Sequence, residues 1–200
     1  QKTLELYEAE YCPYCRYVRE ALTALDLDAL IYPIPKKGNR FREQLVAVAG
    51  KAQVPFLIDP NTGSRLHESE AIVKYLYQEY GPKGAKIPPL GIKSSLNATL
   101  LRGGKGMFAN PGSAPKKPLE LYSFESSPFA RLVRETLCEL ELPFLLHNVG
   151  KAPGKAEEWL PPKLRHKRGY TPETKNRKLL AERGGKVMIP AGASDDYGNA

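Results

Sequence analysis

Residues 4–27 read LELYEAEYCPYCRYVREALTALDL, and residues 119–142 read LELYSFESSPFARLVRETLCELEL. The two stretches align without a gap at an offset of 115, and 13 of the 24 positions are identical. The likeness resumes at Gly50-Lys51-Ala52-Gln53-Val54-Pro55 against Gly185-Lys186-Val187-Met188-Ile189-Pro190, now at an offset of 135. The second copy therefore carries about 20 more residues between its motifs. An internal repeat of this size predicts two related folding units in tandem. We divide the chain into residues 1–80, a connector over 81–118, and residues 119–200. Units of about 80 residues are near the lower limit for a self-sufficient core, so the two are expected to pack on one another. They differ where chemistry would reside: Cys12-Pro13-Tyr14-Cys15 in the first copy, Ser127-Pro128-Phe129-Ala130 in the second.

The first copy can be read element by element. Thr3 to Tyr7 alternates and is rich in β-formers, which predicts a strand. Pro13 suits the first turn of a helix, where its missing N–H costs nothing, and Val18, Leu22 and Leu25 give that helix an apolar stripe. A second strand follows over Ala29 to Ile34. A second helix is expected over Asn39 to Ala49, stopped by Gly50, then a third strand over Val54 to Ile58. Asp59 to Gly63 is a turn, Ser64 to Leu66 a fourth strand and Glu68 to Tyr80 a last helix. The order βαβαββα predicts an α/β fold, a four-stranded mixed sheet with helices on both faces.

A strand, then Cys-Pro-Tyr-Cys opening a helix, then Val54-Pro55, then Glu68-Ser69, resembles the glutaredoxins and the N-terminal domain of glutathione transferases, both of thioredoxin fold. The resemblance spans residues 3–80. It implies that Cys12 is the catalytic thiol and Cys15 the resolving thiol, with Pro55 in a cis peptide beside them. It also implies that glutathione, as co-substrate, is held by the main chain of Val54, Pro55, Glu68 and Ser69; Tyr14 is read as lining the same glutathione pocket, the other reading being a surface aromatic. Many glutaredoxins carry a lysine just before this loop, whereas this chain has Glu8 and Glu10, which predicts a weaker depression of the Cys12 pKa. The second copy resembles the same domain as far as Pro190. Its Ser127 is expected to cap a helix, and it lacks a Glu-Ser pair and a closing helix. It reads as a degenerate, C-terminally short thioredoxin-like unit. As a whole the chain is similar to tandem glutaredoxin-like proteins of photosynthetic organisms, which implies a plastid setting, with the cytoplasm as the other compartment considered. Its start at Gln1 rather than Met reads as a processed product or a fragment.

A thiol at a helix N-terminus faces unpaired N–H groups and the positive end of the helix dipole, which favours the thiolate. A second thiol one turn on can attack a mixed disulfide formed at the first. Three cysteines make no disulfide scaffold, and Cys138 reads as a buried, inert thiol. His67, His147 and His166 have no zinc-site spacing, so no metal is expected. No run of 18 apolar residues predicts a membrane-spanning helix.

The net charge of +8 is concentrated in the connector, where residues 81–118 hold seven basic and no acidic side chains, with seven Gly and six Pro. Read plainly, it is a solvated connector; read functionally, it binds an acidic protein complex together with the second unit. Its single aromatic, Phe108, argues against nucleic acid. The basic run Lys163 to Arg168 and Trp159 lie in the insertion of the second copy. Two functions remain in view. One is a glutathione-linked thiol–disulfide oxidoreductase acting on glutathione or protein disulfides through Cys12. The other is a non-catalytic interaction subunit docked in a larger complex, of the photosynthetic membrane if the resemblance holds.

Overall fold

The structure is a computed structural model that describes residues 1–90, 103–110, 112–113, 115–150, 174–184 and 191–193. The first half runs β1 (Leu4–Glu8), α1 (Pro13–Ala24), β2 (Ala29–Pro33), α2 (Arg42–Ala49), β3 (Phe56–Asp59), β4 (Ser64–His67) and α3 (Ser69–Tyr80). After the connector come β5 (Leu119–Ser123), α4 (Pro128–Glu139), β6 (Phe144–Asn148), α5 (Lys175–Gly184) and β7 (Ala191–Ala193). The first-half order is the βαβαββα expected. Helix α2 begins at Arg42 rather than Asn39, because Asn39 to Phe41 form a turn. Gly50 ends it with φ of 76°, a conformation that costs a glycine nothing.

The seven strands among the described residues form one sheet in the order β4-β3-β1-β2-β6-β5-β7. In the first half β1 pairs parallel with β2 and antiparallel with β3. The second half repeats the pattern: β5 pairs parallel with β6 and antiparallel with β7. The halves join where β2 and β6 pair antiparallel, Ala29 against Leu146, Leu30 against Leu145 and Ile31 against Phe144. At the repeat offset of 115, Leu30 faces its own equivalent, and the outer pairs exchange equivalents. A pseudo-two-fold axis therefore passes through the Leu30–Leu145 pair.

The main core crosses this join. Leu4, Leu6, Val18, Leu22, Ile31, Ile72 and Leu76 share one buried cluster with Leu121, Leu137, Phe144 and Leu146. Helix α3 covers α1 with Ile72, Val73 and Leu76. Asp59 fastens the far end of α3 by accepting from the hydroxyls of Tyr75 and Tyr80. At the join, Thr23 Oγ1 donates to Asn148 Oδ1 (2.8 Å), and Asn148 Nδ2 donates to the Leu27 carbonyl (2.5 Å).

Residues 106–110 of the connector depart from the plain expectation of a solvated segment. Lys36 N–H donates to the Met107 carbonyl (2.7 Å), and Ala109 N–H returns to the Lys36 carbonyl (2.9 Å). Asn110 N–H reaches the Glu139 carbonyl (2.7 Å). Residues 106–110 thus link the first half to α4. Lys36 and Lys37 each place an ammonium over the Phe108 ring. The Ile189–Pro190 peptide, the repeat equivalent of Val54–Pro55, the basic run Lys163 to Arg168 and Trp159 lie outside the described residues. No helix among the described residues is long and apolar enough to cross a membrane.

Candidate active site

The strand register brings most of the expected residues to one end of the sheet. Tyr7 pairs with Phe56, and Phe56 with His67. One step beyond those rungs lie Glu8, Pro55 and Glu68. The chain leaving β1 then turns within four residues into α1, with Cys12 N–H donating to the Ala9 carbonyl (2.9 Å). Cys12 is the N-cap of α1 and Pro13 its first residue, the placement read from sequence. The Val54–Pro55 peptide is cis, as the resemblance implied. Val54 packs on a small buried cluster of Ala9, Cys12 and Cys15.

The two thiols have opposite surroundings. Cys12 is 9% exposed and Cys15 is 0% exposed. The Cys12 pKa is lowered to about 6, first because the Cys15 thiol donates to it, against an opposing contribution from burial. The main-chain N–H groups of Cys15 and Tyr14 at the helix N-terminus lower it further, as does Arg19. Burial and the neighbouring Cys12 hold the Cys15 pKa well above its ordinary value. Cys15 Sγ accepts from Ala9 N–H (3.4 Å) while serving as the donor to Cys12. The pair is one thiolate at the rim and one thiol behind it.

The Glu8 and Glu10 expectation is corrected here. Both carboxylates are buried and ion-paired, so neither confronts Cys12 as a free charge. Arg19 pairs with Glu8 through Nη1 and with Glu125 through Nε (2.8 Å). Arg134 holds Glu10 with two bonds, Nε to Oε2 (3.1 Å) and Nη2 to Oε1 (3.2 Å). Arg134 is the repeat equivalent of Arg19, and Glu125 that of Glu10, so each half lends an arginine to the other's loop. Glu8 alone has no acidic counterpart, Ser123 standing at the equivalent position. Burial raises the Glu8 pKa to about 7; Arg19 opposes this, and Glu10 and Glu125 add to it. Sequence reading passed over this cluster. Its signal was present, because Glu10, Arg16, Arg19 and Glu20 are polar positions identical in both copies.

The remaining expected residues fall as follows. Ser69 opens α3 and is buried, whereas Glu68 before it is exposed, with φ of 67°. That positive φ is uncommon for a non-glycine residue. Gln53 Nε2 donates to Glu68 Oε1 (2.7 Å), tying the loop before Pro55 to the start of α3. Tyr14 projects from the first turn of α1, 46% exposed. In the second half, Ser127 caps α4 by accepting from Ala130 N–H (3.2 Å), the structural role expected of it. Among the described residues no group of three His, Cys, Asp or Glu is placed to hold a metal ion.

A β1-α1-β2 unit, a cysteine at the N-cap of α1, a cis Val54–Pro55 peptide whose Val54 packs on it, and an α3 that begins one step beyond the same rungs define a thioredoxin-like domain. Residues 6–84 match the family model described as "Glutathione S-transferase, N-terminal domain", about two fifths of the chain. Among solved structures, Bombyx mori glutathione transferase BmGSTD1 in complex with GTT is 27% identical, TM-score 0.37. That match covers 42% of this chain and 41% of the other. Drosophila melanogaster glutathione S-transferase isozyme E7 is 29% identical, TM-score 0.36, over 41% of this chain and 39% of its own. A glutathione transferase homolog from Lodderomyces elongisporus, solved with two GSH per subunit, is 22% identical, TM-score 0.39, over 52% of each chain. The chain thus spans about two fifths to half the length of these relatives. No curated protein sequence matches it.

Proposed function

We propose that the protein is a glutathione-linked thiol–disulfide oxidoreductase working through Cys12. The observation that carries this reading is the asymmetric thiol pair, a Cys12 thiolate formed near pH 6 at a helix N-terminus with a protonated Cys15 behind it. The family match over residues 6–84 supports the link to glutathione. Cys12 thiolate attacks one sulfur of a substrate disulfide; the new bond joins it to Cys12, and the other sulfur leaves as a thiolate that takes up a proton. Forming the mixed disulfide removes the negative charge that helps hold the Cys15 proton. Cys15 then deprotonates and displaces the bound sulfur, closing a Cys12–Cys15 disulfide. Two glutathione molecules reduce that disulfide and become one glutathione disulfide. Exposed Glu68, Ser69 at the N-terminus of α3 and the main chain of Val54 are the proposed glutathione contacts, Ser69 suiting a carboxylate.

The test is site-resolved alkylation and turnover. Cys12 is expected to react before Cys15 and Cys138, with a pH midpoint near 6. Cys12→Ser abolishes reductase turnover with glutathione, and Cys15→Ser retains exchange with glutathione mixed disulfides. Preferential labelling of Cys138, or turnover surviving Cys12→Ser, overturns the reading.

The same proposal takes residues 119–200 as a second, degenerate thioredoxin-like unit, supported by the repeated strand pairing. One observation favours an interaction role for it. Tyr17 and Ala21 of α1 are buried, whereas their equivalents Leu132 and Thr136 of α4 are exposed. Phe129, the equivalent of Tyr14, is 65% exposed. Lys105 lines a pocket beside this face with Leu132, Glu135, Thr136 and Glu139. In this second reading the face and the basic connector meet an acidic protein complex, at a plastid membrane. Co-purification that is lost at high salt, and lost on charge reversal of Lys83, Lys86 and Lys105, supports it; a lone monomer at every salt concentration overturns it.

A further inference from the structure

The loop that presents Cys12 is held from the other half of the molecule. Glu10, two residues before Cys12, is gripped at three points. Its carboxylate takes the two-pronged bond from Arg134. The same carboxylate is ion-paired to Arg19 Nη2 (3.3 Å). The Glu10 carbonyl accepts from Arg19 Nη2 (3.3 Å). Arg134 is itself fixed, donating through Nη1 to Ser123 Oγ (3.0 Å) and through Nη2 to the Glu125 carbonyl (3.2 Å). Gly106 of the connector closes the arrangement, the site of its missing Cβ lying 3.4 Å from Glu10 Cβ. The grip repeats at the equivalent loop, where Glu125 N–H reaches Thr23 Oγ1 (3.3 Å) and Arg19 holds the Glu125 carboxylate. That second loop presents Ser127 and Ala130 in place of the thiols, so only the Arg134 grip serves a reactive group.

We propose that Arg134 is a positioning residue for Cys12: the second half, which has no dithiol of its own, completes the active-site loop of the first by clamping Glu10. The physical reason is the cost of a buried carboxylate that has lost its two-pronged partner. Without the Arg134 guanidinium, Glu10 keeps one ion pair, to Arg19 Nη2 (3.3 Å), a guanidinium already shared with Glu8 and Glu125. The cheapest escape of this under-compensated carboxylate is toward water. Only Tyr11 lies between Glu10 and Cys12, so that movement carries the thiol off the N–H groups of α1. The proposal rests on Cys12 being the reactive thiol, but not on any particular substrate.

The experiment is therefore alkylation of Cys12 in the full chain as a function of pH, read site by site by mass spectrometry, with folding checked by circular dichroism. Arg134→Met is expected to raise the Cys12 midpoint by about one pH unit, the size of a lost helix-terminus interaction. The double variant Glu10→Leu/Arg134→Met replaces the ion pair by apolar groups that stay buried, and is expected to restore the midpoint to within about 0.3 pH units. An unchanged midpoint in Arg134→Met overturns the proposal. So does a double variant that remains shifted, because Arg134 would then act on the thiolate by its own charge. If Arg134→Met does not fold, Arg134→Lys decides: it keeps the charge but loses the fork, so a raised midpoint supports the clamp and an unchanged one overturns it. Failure of glutathione turnover in the parent protein would remove the oxidoreductase reading and leave this measurement intact.

Discussion

Three buried carboxylates, Glu8, Glu10 and Glu125, face two buried guanidinium groups, Arg19 and Arg134; partly exposed Arg16, paired to Glu20 (2.9 Å), reaches Glu125 of the three at 3.8 Å. One proton brings the fully buried set to neutrality, and Glu8 is where it binds, its pKa raised to about 7 by burial. A group whose folded pKa lies above its unfolded value stabilises the fold fully below the unfolded value. That stability is lost as pH rises through the folded one. For Glu8 the loss runs from about pH 4.5 to about pH 7. Glu8→Gln is expected to flatten the stability–pH curve over that window, by on the order of 1–3 kcal/mol, in denaturant titrations at pH 5 and pH 8. Cys12 contributes with the opposite sign, stability being lost as pH falls from about 9 toward about 6, so the comparison belongs in a Cys12→Ser background. A slope that persists in Glu8→Gln would assign the proton elsewhere. Little of this was legible beforehand. A glutamate next to an active-site loop reads as a surface charge until the arginine facing it, 115 residues away in the repeat, is in place.

At the scale of elements, local rules carried far. Helices α1 and α4 begin where a proline follows a capping residue, and their apolar stripes face the sheet. Where local rules fell short, distant contacts had intervened. The turn that delays α2 contains Arg40, whose guanidinium reaches the carbonyls of Leu140 (3.1 Å), Glu141 (2.6 Å) and Gly112. Residues 106–110 of the connector, a segment that composition left as either solvated or partner-binding, are pinned by main-chain hydrogen bonds that composition does not encode. Gly106 shows how closely. It has φ of +79°, and a Cβ there would lie 3.2 Å from Glu135 Cγ and 3.3 Å from Glu135 Cα. Gly84 has a similar φ of +77° with nothing within 4 Å. Gly84→Ala is expected to cost only the backbone penalty of about 1 kcal/mol, and Gly106→Ala about 1–2 kcal/mol more. Equal shifts in urea midpoint for the two variants would show that the connector is not packed against α4 as described.

At the scale of the whole molecule, the described residues of both halves share one sheet and one main core, so the halves are expected to unfold together. Urea unfolding followed by circular dichroism and by amide exchange in β1 and β5 should give one coincident transition. Phe144→Ala, at the join, should lower it by about 3–5 kcal/mol for both probes. Two separated transitions would mean that the core is divided at β2–β6. The duplication itself was plain in the sequence. The seam was not, because pairing of two strand edges leaves no local mark beyond β-forming residues. That seam has a further consequence. At the Leu30–Leu145 axis the surface β2 offers to β6 is nearly the one β6 offers back, which is the geometry of an isologous subunit contact. Each edge is therefore close to self-complementary, and a β2 edge from one molecule is a competitor for the β2 edge of another. What favours the closed monomer is the 38-residue connector, residues 81–118, acting as a tether. By holding both edges on one chain it keeps their effective concentration far above that of any neighbour, and so guards against domain swapping.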